Sequence, residues 1–131
     1  MNFEMKVELG KKAYELVRNG EDIRSVMEPI AVTCAIDESM TGDHTEPLEI
    51  FILGMNEYTI DFACDTILSG MFEAQKQDNG ILEKYKESVS TLSKDLKAVG
   101  KEELIGTFLP ANTMLGMALC KAGEKLMRGE K

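Results

Sequence analysis

Tryptophan is absent from this 131-residue sequence, and phenylalanine and tyrosine together number only eight. Nine methionines stand among the remaining apolar residues. Methionine fills gaps flexibly and also serves adaptable contact surfaces; core filling is the expected use here. Cysteine is scarce too. Cys34, Cys64 and Cys120 are odd in number and form no C-x-x-C pair. That argues against a disulfide framework or a zinc knuckle and fits a reducing compartment. Each thiol has apolar neighbours in the sequence, as a buried small hydrophobe does.

The only histidine is His44. A transition-metal site needs several converging ligands, and the Glu-x-x-His pairs of di-iron bundles are missing. No metal or cofactor is implied. Neither a P-loop nor G-x-G-x-x-G, G-x-S-x-G or H-E-x-x-H occurs. A Cys–His nucleophile is formally available, but no sequence feature positions His44 beside a thiol. Met1 to Leu9 is amphipathic and lacks the apolar run of a signal peptide. The most apolar stretch is interrupted by Glu57, Asp61 and Asp65, so no ordinary membrane span is expected. A cytoplasmic protein is the expectation.

The sharpest deficit is of positive charge. The net charge is −8. Residues 21–80 hold two basic side chains, Arg24 and Lys76, against 13 acidic ones, and the other 71 residues carry a net +3. Carboxylates in such a stretch must face water, basic groups from elsewhere in the chain, a cation or a basic partner. Binding to a nucleic-acid backbone needs a positive footprint and is not expected.

What remains is helical punctuation in a length that suits one domain, residues 1–131. Residues 3–18 carry Phe3, Val7, Tyr14 and Val17 at helical spacing, and Asn19-Gly20 reads as a C-cap. Ile23, Val26, Met27, Ile30, Ala31, Cys34 and Ala35 form the next apolar stripe. Pro29 inside it predicts a kink or a restart, because its nitrogen cannot donate to the Ser25 carbonyl. A loop is expected over about residues 38–45, with Thr45 as cap and Pro47 in the first turn of a new helix.

Leu48 to Phe72 is apolar around nearly its whole circumference, which predicts a central helix or one that also meets a second subunit. Within it "LEIFIL", Leu48 to Leu53, also has the composition of a short strand ending at Gly54. Gln77 to Gly80 reads as a turn. Leu82, Tyr85, Val89, Leu92, Leu96 and Val99 then follow a 3-4-3-4-3 spacing, the seam of a helix buried along one side, and Gly100 ends it. "KEELIG" predicts a short helix stopped by Gly106. The last helix is expected from about Pro110 to Leu126, with small residues at Gly116, Ala118, Ala122 and Gly123 that allow close backbone approach.

Two acidic features are candidate sites. The loop "AIDESMTGDHTEPLEIF", Ala35 to Phe51, can be aligned on an EF-hand with Asp37, Ser39, Thr41 and Gly42 at positions 1, 3, 5 and 6. Position 12, which requires a bidentate glutamate, is then Leu48, so the motif fails. Glu57, Asp61 and Asp65 recur at i, i+4 and i+8 on the central helix and share one face. Such a stripe is a thin solvated strip, pairs with Lys84, Lys94 or Lys97 after a hairpin turn, or docks a basic partner or a cationic ligand.

The stretch "GTFLPANTMLGMALCKAGEKLM", Gly106 to Met127, resembles the last helices of the helical cap that precedes corrinoid-binding domains. The D-x-H-x-x-G motif that ligates the corrinoid in that family is absent, and cobalamin binding is not carried over. The expected fold is all-α, a compact bundle of about five or six helices, as a homodimer. The expected function is a protein-interaction module (adaptor, regulator or inhibitor) docking a partner through the acidic 21–80 region at Glu57, Asp61 and Asp65. The alternative is a ligand-binding or enzymatic bundle with an apolar pocket lined by methionines.

Overall fold

A computed structural model of the chain describes residues 1–70 and 80–129. The fold is all-α. The described residues form five α-helices: α1 (Phe3–Arg18), α2 (Ile23–Thr41), α3 (Pro47–Leu68), α4 (Gly80–Ala98) and α5 (Ala111–Met127). A 3-10 segment, Glu102–Thr107, lies between the last two. No strand occurs among the described residues, and "LEIFIL" is helical. The expected helix end at Met71 and Phe72 and most of the Gln77–Gly80 turn lie outside the described residues.

Two compact units make up the chain, Met1–Tyr58 and Thr59–Lys131, and their boundary falls within α3. In the first unit, the Asn2 side chain caps α1 by accepting from the Met5 amide at 2.8 Å. The helix ends as its sequence predicts. Gly20 takes φ +103°, its amide donates to the Val17 carbonyl, and that of Glu21 donates to Leu16. The second helix runs unbroken through Pro29, so the expected restart does not occur. The turns that follow the proline carry the hydrogen-bond ladder on, while Pro29 itself is exposed. The loop after α2 is shorter than expected. α2 continues to Thr41, and Gly42 at φ +79° closes it with a 2.8 Å bond to the Glu38 carbonyl. Pro47 holds the first position of α3, where its missing N–H costs nothing.

α1 and α3 meet backbone to backbone at Gly10 and Gly54. A Cβ added at Gly10 would overlap the Ile50 carbonyl oxygen and lie 2.9 Å from Gly54, and one added at Gly54 would overlap Gly10 itself. One turn along α1, Tyr14 stands edge-on to Phe51 and Tyr58, with ring centroids 5.8 and 5.3 Å away. The Arg18 guanidinium lies 5.3 Å from the Tyr58 ring, a cation–π contact that covers the cluster.

In the second unit the 3-4 seam of α4 is buried at Tyr85, Leu92 and Leu96, whereas Val99 lies past the helix end and is exposed. The Tyr85 hydroxyl donates to the Leu109 carbonyl at 2.9 Å, anchoring the segment that leads into α5. Gly100 at φ +75° ends α4, with the Lys101 amide donating to Leu96 at 2.8 Å. Met114, Ala118 and Ala122 form the buried line of α5.

α3 is buried around most of its circumference: Ile50, Phe51, Ile52, Met55, Ile60, Ala63 and Cys64 are all in the core. These side chains are covered within the chain itself, so a second subunit is not required to shield them. Among the described methionines, Met55 and Met114 are fully buried, Met1 and Met27 are half-buried, and Met5, Met40, Met117 and Met127 are exposed.

Candidate interaction surface

The predicted acidic stripe on α3 divides in the structure. Asp61 accepts a hydrogen bond from Lys121, and Asp65 lies 3.9 Å from Lys125. Both lysines belong to α5, not to the α4 positions Lys84, Lys94 and Lys97 that the sequence suggested. The two pairs run in step, 61 with 121 and 65 with 125, so these turns of α3 and α5 point the same way. Like charges four residues apart on one helix thus meet a matching pair of opposite charges on another. Asp61 is part-buried and Asp65 largely exposed. Glu57, one turn earlier, is part-buried and engaged in interactions of its own.

The EF-hand alignment around His44 does not correspond to a loop in the structure. Asp37, Ser39 and Thr41 lie on α2, not in a loop. The Asp37 carboxylate accepts the N-terminal ammonium at 3.0 and 3.2 Å. His44 is exposed, its Nδ1 3.4 Å from Glu38 and its Nε2 3.9 Å from Glu46. Among the described residues no group of three or more His, Cys, Asp or Glu side chains converges to hold a metal.

Cysteine chemistry is equally muted. Cys34 and Cys64 are buried, and only Cys120 is exposed. Burial, reinforced by the carboxylates of Asp37 and Glu46, pushes the Cys34 thiol above its ordinary value. It therefore stays protonated at neutral pH, the opposite of an activated nucleophile.

A cleft of about 210 Å³ lies between α1 and α2, lined by Leu9, Ala13, Leu16, Val26, Pro29 and Ile30 among others. No methionine lines it. It falls below the roughly 300 Å³ at which small-molecule pockets begin. No buried side-chain nitrogen or oxygen among the described residues lacks a hydrogen-bond partner, so none is left aimed at a ligand.

The surface that stands out is on α2 and was not among the expected sites. Val32, Ile36 and Met40 recur every four residues and are 59, 55 and 79% exposed. They lie about 120° around the helix from the buried line of Val26, Ile30 and Cys34. α2 thus bears two apolar stripes, and only one enters the core. Exposed Glu28 heads the outer stripe one turn before Val32, and exposed Asp43 follows just past its far end. The signal in the sequence is a second i, i+4, i+8 series, masked because the first stripe already accounts for the helix.

Another apolar stretch lies within Glu102–Met127, where one 18-residue window has a mean hydropathy of 1.2, long and apolar enough by composition to cross a membrane. In the fold this span comprises the 3-10 segment, an extended step at Phe108 and the 17 residues of α5. Compared with known protein families, curated proteins and solved structures, the chain matches none.

Proposed function

We propose that this chain is a small interaction module that docks a protein partner through the outward stripe of α2. The observation that carries the reading is the exposure of Val32, Ile36 and Met40 on one helical face, with acidic residues at both ends. An apolar helix stripe of this kind suits insertion into a groove. No lysine or arginine lies between Arg24 and Lys76, so the complementary partner presents an apolar groove rimmed by basic side chains. This keeps docking in the acidic region but moves it off Asp61 and Asp65, which are engaged by α5. A cytoplasmic location belongs to the same proposal, since an exposed thiol such as Cys120 persists in reducing surroundings.

Wild type and a Val32→Asp/Ile36→Asp variant serve as baits, with circular dichroism confirming equal helix content. The expected result is a partner captured by wild type at low salt, released as salt rises, and lost from the variant. If the variant holds the same partner with the same salt dependence, the α2 stripe is not the docking surface.

A further inference from the structure

The outer face of α5 has a regularity that folding of the chain does not use. Asn112, Gly116, Leu119, Gly123 and Leu126 follow a 4-3-4-3 spacing, the seam of a helix paired with another helix. This seam lies about 120° around α5 from the buried Met114, Ala118 and Ala122. Leu119 is 48% and Leu126 61% exposed, and Met127 beside them is 90% exposed. No charged side chain of α5 falls on this arc. Lys121, Glu124, Lys125 and Arg128 all lie on the other side, where Lys121 and Lys125 meet α3 and Arg128 pairs with Glu124.

The glycines are the second observation. Among the described residues, a Cβ placed on Gly116 or Gly123 meets nothing within 4 Å. Glycine inside a helix is unfavourable relative to alanine, and contacts among the described residues do not require it at either position. Their small size matters only if another surface comes close.

We propose that this surface is a second copy of the same chain, with its α5 lying antiparallel across the first. In an antiparallel pair centred at residue 121, Gly116 of one copy faces Leu126 of the other, and Leu119 faces Gly123. Each exposed leucine then meets a glycine gap, so large opposes small in the layers formed by Gly116, Leu119, Gly123 and Leu126 of a self-complementary two-fold interface. The absence of charge along the arc lets two copies of a net-acidic chain approach there. Cys120 flanks the seam beside the axis, which brings the two Cys120 thiols next to each other across the pair. A single helical face is well below a standard interface of about 800 Å² per partner, so the dimer belongs to the weak class and forms at high protein concentration.

A short bismaleimide cross-linker reads this geometry directly, because Cys34 and Cys64 are buried. At high-micromolar protein, wild type is expected to give a covalent dimer that Cys120→Ser abolishes. Gly123→Leu, whose Cβ meets no neighbour among the described residues, should lower the dimer yield at least several-fold. Adding Leu119→Ala to Gly123→Leu restores a large–small pair and should recover it. The proposal is overturned by a wild type that stays monomeric in light scattering without a cross-link, or by a cross-link indifferent to Gly123→Leu. It is also overturned if the monomer floats with lipid vesicles through α5, which would assign the face to a membrane. The α2 reading concerns another helix, so its failure and the failure of this pairing are read separately.

Discussion

Two pairs of glycines occupy helix interiors in this protein, and their surroundings are opposite. Gly10 and Gly54 touch each other where α1 crosses α3, and neither leaves room for a methyl group. Gly116 and Gly123 on α5 have no neighbour within 4 Å of an added Cβ among the described residues. The same residue carries the same propensity cost in all four places. At the first pair, close approach of two helices offsets it. At the second pair, nothing among the described residues does. An unfavourable residue with no internal compensation points outside the chain, whereas a tight fit inside it explains the residue fully.

The contrast can be broken most severely at the crossing. Gly54→Ala or Gly10→Ala forces backbone apart and should lower stability by about 3 kcal/mol, the upper range for overpacking a core. Urea denaturation measures it, and an unchanged midpoint would mean the helices do not meet there. At the other pair the sign reverses. Gly116→Ala should raise the stability of the monomer by up to about 1 kcal/mol through helix propensity. Thermal melts at low protein concentration, where self-association is negligible, check this.

A smaller effect separates the two aspartates of α3. Asp61→Asn should cost up to about 1 kcal/mol because its lysine partner is close and part-buried, whereas Asp65→Asn should change stability by less than about 0.5 kcal/mol. Lys121→Met and Lys125→Met should follow the same order. The smallest effect belongs to the outer stripe of α2. Ile36→Ser should stay within about 0.5 kcal/mol of wild type, while Ile30→Ala, on the buried side of the same helix, should lose at least about 2 kcal/mol. Equal losses from both would show that the outer stripe is covered after all.

Much of the fold is legible in the amino-acid order. Apolar residues at helical spacing, with Asn19-Gly20 and Gly100 as stops, delimit α1 and α4 to within a few residues, because capping depends on local chemistry, whereas α2 runs on to Thr41 through part of the expected loop. The 3-4 seam of α4 is buried at Tyr85, Leu92 and Leu96 and half-buried at Leu82 and Val89, while Val99 falls beyond the last turn. Less is legible at the candidate surface. Glu57, Asp61 and Asp65 are visible as a stripe, but the lysines that meet Asp61 and Asp65 stand 60 residues further along the chain, and the sequence pointed to nearer ones. The α2 stripe is written in Val32, Ile36 and Met40. Its exposure is not, because an apolar residue carries no mark of which side of a helix is wet.

Local propensity and composition suffice for the all-α class, most of the helix stops and the basic-free acidic stretch. None of these needs a neighbour from elsewhere in the chain. Tertiary packing is what makes Gly54 a crossing point instead of a strand end. It pairs Asp61 with Lys121, hides one apolar stripe of α2 while showing another, and leaves Gly116 and Gly123 spare. Each of these depends on which distant surface comes into contact. That choice belongs to the whole chain's burial of apolar area and is not written at any one position.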